Sequence, residues 1–298
     1  MITSRIRIML VSLTLLFFTN LAFATAKLED VKGIYLTQGT LENTSRLKYM
    51  IKESKASGID TFVIDFERPS KRTRDNMALI KESGISMVAR IVMFHGGGTK
   101  AMIQNPKVWQ KKYALVDQAV KWGADAIQLD YIRYNTKQKP SPQNAQDIMK
   151  IISWYKSKLG NVPLEIDVFG ETSFGESPYI GQNAKLFAET VDTLCPMVYP
   201  SHYKPFAQHY KTPYKTVHNS LTKIQKQLAK DSPVNVVAYI ELSNYHYPMS
   251  GAKRTAYIKA QLDAVKDSGA EGWYAWSPQN HYDYLFRLLQ SQNKTAAR

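Results

Sequence analysis

Short apolar, β-branched runs alternate with longer amphipathic segments eight times along this 298-residue chain, and that repetition leaves few folds open. The strand-like runs are Val31–Thr37, Thr61–Phe66, Ser86–Phe94, Ala126–Ile132, Pro163–Gly170, Asp192–Tyr199, Asn235–Glu241 and Glu271–Ser277. Helical stretches such as Ser45–Ser57, Trp109–Trp122, Ala145–Leu159, Tyr214–Lys230 and Lys253–Ser268 lie between them. Glycine follows several of these helices, at Gly58, Gly84, Gly123 and Gly269, where a left-handed residue commonly closes the last turn. Eight strand–helix units in one chain predict an α/β fold of the closed (β/α)8, or TIM-barrel, kind. The competing doubly wound open sheet usually carries a glycine-rich phosphate loop after its first strand, and none is present. His95-Gly-Gly-Gly98 lacks that spacing and reads as a flexible loop after the third strand.

The ends fall outside the repeat. Arg5 and Arg7, the apolar run Ile8–Phe18 and the small-x-small triplet Ala22-Phe23-Ala24 predict a secretory signal peptide over residues 1–24. The expected organisation is therefore one barrel domain, residues 25–290, with a disordered tail over 291–298 and no stable membrane anchor. The expected location is outside the cytoplasm, periplasmic or secreted. The lone cysteine, Cys195, sits in an apolar strand and reads as a buried structural thiol.

The formal charge is +14, of which Arg5 and Arg7 belong to the signal segment, so the rest of the chain keeps about +12. Such a balance favours anionic surroundings, among them acidic glycans and phosphate-rich envelope polymers. The lysines are scattered through the helices rather than gathered in a stripe, which argues against nucleic acid as a partner.

Strand parity then selects the side chains that enter the barrel. Ile127 and Leu129 face the helices, turning Gln128 and Asp130 inward. Leu164, Ile166 and Val168 do the same for Glu165 and Asp167. By the same alternation Asp65 opposes Phe62, Ile64 and Phe66, and Arg90 opposes Ala89 and Ile91. Asp65, Asp130, Asp167 and Glu241 all end strands, and the C-terminal mouth is where barrel active sites are built. Carboxylates buried there are costly unless paired or used, with Arg90 and Arg133 as candidate counter-charges. Paired carboxyls suit glycoside hydrolysis, in which one protonates the leaving oxygen and the other acts as nucleophile or base. Tyr199, Tyr203, His202 and Trp276 are candidates to line a sugar subsite. No HExxH spacing marks a metal site and no GxSxG marks a nucleophilic serine, so no metal and no cofactor are expected.

Several of these segments also match a known pattern. Gln128-Leu-Asp-Tyr-Ile-Arg-Tyr134, Asp167-Val-Phe-Gly170, Ile180-Gly-Gln182 and the run Asp192-Thr-Leu-Cys-Pro-Met-Val-Tyr-Pro-Ser-His-Tyr203 resemble the bacterial family called "putative glycoside hydrolase domain". Val31-Lys-Gly-Ile-Tyr35, Thr61-Phe-Val-Ile-Asp65 and Gly272-Trp-Tyr-Ala-Trp-Ser277 fit it as well. The resemblance implies a barrel related to amylase-like and α-galactosidase-like glycosidases, and maps their strand-four nucleophile onto Asp130. Asp167 belongs to the matched motif, with Glu171 close by. Glu241 stands where other barrel glycosidases carry a glutamate, although Ile240-Glu-Leu-Ser-Asn244 departs from the tryptophan- and glutamine-rich stretch expected there.

The reading is thus an exported glycoside hydrolase acting on an envelope or extracellular polysaccharide, which its charge suggests is anionic. Asp130 and Asp167 are the expected catalytic pair. Asp65, Arg90 and Arg133 are expected to orient them, and Glu171, Tyr199, His202, Glu241 and Trp276 to support or contact substrate. The alternative is a glycan-binding barrel without catalysis.

Overall fold

A computed structural model describes residues 27–296; the expected signal segment, residues 1–24, lies outside the described residues. Its strands are β1 (Val31–Leu36), β2 (Thr61–Asp65), β3 (Ser86–Val92), β4 (Ala126–Asp130), β5 (Leu164–Phe169), β6 (Thr193–Met197), β7 (Asn235–Glu241) and β8 (Gly272–Trp276). All pair in parallel in chain order, and β8 closes onto β1. The (β/α)8 barrel is the fold of the chain.

Alternation along the strands separates two cores. Phe62, Ile64 and Phe66, Ile127 and Leu129, and Leu164, Ile166 and Val168 join one cluster with the apolar faces of the helices. Val63, Val88, Ala126, Cys195, Val237, Tyr239 and Tyr274 fill the barrel interior as a second. Each aliphatic side chain buried this way contributes roughly 1.5–3 kcal/mol, so the outer layer is the main adhesive of the fold. Helix ends are satisfied locally. Ser70 and Thr73 form a reciprocal capping box on the helix Lys71–Ser83, and Gly58, Gly84 and Gly269 close their helices in the left-handed region. Among the described residues no helix is long and apolar enough to cross a membrane.

Three expectations change. The stretch expected as one helix over 109–122 is two, Pro106–Gln110 and Tyr113–Lys121. The Trp109 carbonyl, which a continuous helix would use, instead accepts from the Tyr155 hydroxyl at 2.7 Å and from the Lys112 N–H at 3.1 Å. The last helix, Asp283–Ala296, runs on through the segment expected to be disordered from 291. Its buried Leu285, Phe286, Leu288 and Leu289 anchor it, and Gln290 Nε2 donates to Glu53 Oε2 at 3.1 Å. The triglycine segment after β3 is tied down rather than loose. Gly98 N–H donates to the Arg133 carbonyl at 2.8 Å, and Asn135 N–H returns to the Gly98 carbonyl at 2.9 Å. Gly97 has φ 94°, and a Cβ there would lie 2.6 Å from both Arg133 Nη1 and the Tyr134 carbonyl, so glycine is required for the loops after β3 and β4 to meet.

Candidate active site

Arg90, on β3, organises the mouth of the barrel. Strand register sets Asp65 of β2 directly beside it, and Asp130 of β4 two residues farther up the neighbouring strand. Arg90 Nη1 donates to Asp65 Oδ1, and its Nη2 and Nε both donate to Asp130 Oδ2, the latter at 3.0 Å. The same Nε lies 3.9 Å from Asp167 Oδ2, on β5. The guanidinium is completed by the face of the Tyr35 ring, 5.5 Å away, and the Tyr35 hydroxyl donates to Asp65.

One cation facing three carboxyl groups cannot neutralise them all. Asp65 and Asp130 take its hydrogen bonds, and Asp130 Oδ1 also accepts from the Tyr131 N–H, the bonding pattern of an ionised carboxylate. Asp167 receives the smaller share. It is 2% exposed, and its Oδ1 has no hydrogen-bond partner. Burial first, and the neighbouring Asp130 charge second, hold its carboxyl well above the usual range against the pull of Arg90. Two adjacent carboxyls thereby sit in unequal surroundings, Asp130 hydrogen-bonded to a cation and a backbone donor and Asp167 buried with an unpartnered oxygen, the asymmetry that acid/base chemistry needs. Directly after Asp130 the backbone turns through Tyr131 at φ 50°, an uncommon conformation for a non-glycine residue and one that clusters at functional sites.

These groups open into a cavity of about 280 Å³. Arg90, Asp130 and Asp167 form one wall, while Tyr199, Trp276, His202 and Tyr245 form another. The Tyr199 and Trp276 rings stack at 5.4 Å with planes 23° apart, and Tyr245 lies 6.0 Å from Trp276. Burial and the nearby His246 lower the His202 pKa, favouring a neutral imidazole. Tyr35, Tyr239 and Tyr245 also line the cavity without having been singled out from sequence. Tyr35 and Tyr239 have inward strand parity, a signal that marks ordinary barrel filler equally well. Tyr245 comes from the loop after β7, where parity says nothing.

Of the ten residues selected from sequence, Asp65, Arg90, Asp130, Asp167, Tyr199, His202 and Trp276 come together here. Arg133, Glu171 and Glu241 do not, and neither does Tyr203, the further stacking candidate. Among the described residues no ion pair joins Arg133 to a carboxylate. Its guanidinium lies over the rings of Phe169 at 4.9 Å and Tyr131 at 5.3 Å, and Nη1 donates to the Tyr134 carbonyl. The turn at Tyr131 ends the strand, so parity no longer governs where residue 133 points. Glu171 is exposed and accepts from the Ser177 hydroxyl at 2.7 Å. Tyr203 packs behind the site: its hydroxyl accepts from Ser220 at 3.1 Å and lies where a Cβ on Gly170 would stand, at 2.1 Å. Glu241 is fully buried, accepting from the Ser201 N–H at 2.9 Å and from the hydroxyls of Ser201 and Tyr257. It braces the turn that presents His202 rather than reaching into the cavity.

Below the site a second carboxyl, Glu165, is enclosed by polar neighbours. Gln128 Nε2 donates to it at 3.0 Å and the Tyr274 hydroxyl at 3.1 Å, while Tyr239 donates to Gln128 at 2.8 Å. Cys195 lies in this layer, fully buried, with its Sγ 3.5 Å from Glu165. Burial raises both Glu165 and Glu241 to about 7, opposed by their hydrogen bonds. A folded-state pKa above the unfolded value gives stability that is complete below the unfolded pKa and lost as pH rises through the folded one. Unfolding midpoints should therefore fall between about pH 5 and pH 8, each glutamate contributing a loss on the order of 3 kcal/mol. Glu165→Gln and Glu241→Gln should each flatten that slope in urea titrations. A slope unchanged in both variants would place the titrating groups elsewhere.

Among the described residues no group of three or more His, Cys, Asp or Glu side chains is arranged to hold a metal ion. The acidic cluster at the mouth is bridged by Arg90 instead.

The fold recurs among solved structures. The C-terminal domain of a putative chitinase from Desulfitobacterium hafniense superimposes with a TM-score of 0.64 at 14% identity, covering 88% of this chain and 99% of that one. The spore cortex-lytic enzyme of Bacillus cereus gives 0.63 at 12% identity, over 89% and 74% of the two chains. An endo-β-1,4-mannanase from Thermotoga petrophila gives 0.64 at 14% identity, over 91% and 77%. At such identities the likeness is one of fold. No curated protein matches the chain by sequence. A family pattern does: residues 101–282, more than half of the chain and spanning β4 to β8, match the one described as "Putative glycosyl hydrolase domain", and the chain belongs to that family.

Proposed function

We propose that the chain is an exported glycosidase that cleaves an envelope or extracellular polysaccharide by double displacement, with Asp130 as nucleophile and Asp167 as general acid/base. Family membership supports the class, and the charged start and Ala22-Phe23-Ala24 triplet support export. The observation that carries the chemistry is the sharing of one nitrogen, Arg90 Nε, between Asp130 at 3.0 Å and Asp167 at 3.9 Å. Two carboxyls held by one nitrogen can reach the separation of roughly 5–5.5 Å that retaining enzymes use.

In the first step an Asp130 oxygen attacks the anomeric carbon as Asp167 gives its proton to the departing glycosidic oxygen. In the second, Asp167 takes a proton from water, whose oxygen displaces Asp130 from the sugar. Arg90 and Asp65 hold the nucleophile in place. The stacked Tyr199–Trp276 pair and His202 offer a sugar an apolar platform with a polar edge.

The test uses the chain from Thr25 onward on a panel of envelope and extracellular polysaccharides, with released reducing ends as readout. Asp167→Asn should lose about 10²–10⁴-fold on the native linkage. It should lose far less on an aryl glycoside whose phenol departs without protonation. NMR should show the first-formed product with the anomeric configuration of the substrate. Equal losses on both leaving groups would remove Asp167 from the acid role. The aromatic platform would also serve a barrel that only binds glycans. Retention of a polymer that survives Asp130→Ala, with no bond cleaved, would select that reading.

A further inference from the structure

Outside the cavity, the loops that follow β6 and β7 run outward side by side, and three stacked ring pairs join them. His202 pairs with Tyr245 at 6.0 Å, Phe206 with His246 at 3.9 Å and Tyr210 with Tyr247 at 4.6 Å, with planes 21°, 17° and 27° apart. One loop contributes every fourth residue and the other contributes three in succession. Such regularity makes the pairs the rungs of one ladder, which begins at the Trp276 end of the catalytic cavity.

Two open depressions flank the ladder. One, of about 550 Å³, is lined by Lys204, Pro205, Phe206, Ala207 and Tyr247. The next, of about 650 Å³, has Tyr210, Tyr214, Met249 and Tyr257 among its walls and three lysines, Lys211, Lys215 and Lys253. Neither has a carboxylate in its lining. Two acids bond wall residues from behind: Asp267 takes the Tyr214 hydroxyl at 2.8 Å, and the buried Glu241 takes the Tyr257 hydroxyl. Both depressions exceed the 280 Å³ catalytic cavity, yet neither holds an acid/base pair, so they suit binding rather than chemistry.

We infer that this ladder is an extended set of sugar subsites that reads an anionic polysaccharide, its rings meeting the apolar faces of successive sugars and Lys204, Lys211, Lys215 and Lys253 meeting their carboxylates. The inference rests on the glycosidase reading for what happens at the cavity, and binding along the ladder is independent of cleavage. Continuity with the cavity aligns a polymer so that internal bonds reach Asp130 and Asp167. Exposed Lys–carboxylate contacts are individually weak and screened by salt, so the recognition comes from repetition.

Affinity electrophoresis with polygalacturonate, hyaluronan and alginate, each beside its carboxyl-reduced neutral form, tests the inference. The parent should be retarded by at least one charged polymer about tenfold more than by its neutral form. Lys211→Ala/Lys215→Ala/Lys253→Ala should abolish that preference, and Tyr210→Ala/Tyr247→Ala should weaken retention of both forms. A charge-matched control, Lys48→Ala/Lys52→Ala/Lys185→Ala on exposed positions that line neither depression, should behave as the parent. Equal loss in the control, equal retention of charged and neutral polymers, or retention of none would overturn the inference. So would equal, lysine-dependent retention of a single-stranded oligonucleotide. Cleavage of neutral polymers alone would leave the glycosidase reading standing without the ladder. Lysine-dependent retention with no cleavage would do the reverse.

Discussion

Asp130→Asn should abolish turnover, lowering kcat on a cleavable polysaccharide on the order of 10⁴-fold while leaving the fold intact. The amide keeps the shape of the carboxyl, and its single oxygen can accept either from Arg90 or from the Tyr131 N–H, which reach separate oxygens of Asp130, but it cannot form the glycosyl ester. Removing the charge also acts on its neighbour. Asp130 is the second-largest influence raising Asp167, after burial, and competes with it for Arg90. In the variant Asp167 should therefore titrate at lower pH than in the parent, a shift visible by carboxyl-labelled NMR even where activity is gone. Full activity in Asp130→Asn would end its assignment as nucleophile. Lost activity without a shift at Asp167 would show that burial alone sets the acid.

The largest effect on stability is expected from Arg90→Met. Its guanidinium is the cation shared by Asp65, Asp130 and Asp167, whose side chains are 15%, 8% and 2% exposed. Removing one partner of a buried ionic cluster typically costs about 3–5 kcal/mol, because the remaining charges stay desolvated and unopposed. The loss should depend on pH with a definite sign. Arg90 holds down the carboxyls of Asp65 and Asp167, which burial raises. Without the cation they rise farther above the unfolded value near 3.9, so the variant loses stability as pH rises and recovers it as pH falls. Denaturant titrations at pH 5 and pH 8 should show the gap from the parent widening at the higher pH. A gap that is constant with pH would mean that Arg90 contributes packing rather than charge compensation.

The arrangement around Arg90 was readable in advance to an uneven degree. Asp65, Arg90, Asp130 and Asp167 lie inside regular strands, where a period of two determines the direction of each side chain, and all four meet as alternation requires. Arg133 and Tyr203 lie past strand ends, beyond the reach of that rule. The left-handed turn at Tyr131 sends Arg133 onto aromatic rings. Close packing against Gly170 draws Tyr203 behind the site. Glu241 ends a strand with inward parity, yet Ser201 and Tyr257 offer its carboxyl three donors away from the cavity. A buried charge goes where its hydrogen bonds are, and parity does not count donors.

Composition and periodicity by themselves determined the barrel, its eight strands and the inward carboxyls, because hydrophobic alternation is a local property carried by each segment. Only the tertiary structure decided which carboxyl burial and a neighbouring charge hold above its usual range. That depends on distances among β2, β3, β4 and β5 and on how much of one guanidinium each acid receives, quantities absent from any single segment. The ladder beside the cavity is of the same kind. Its rungs join residues 202, 206 and 210 to residues 245, 246 and 247, and neither loop shows the pairing until the barrel closes and lays them together.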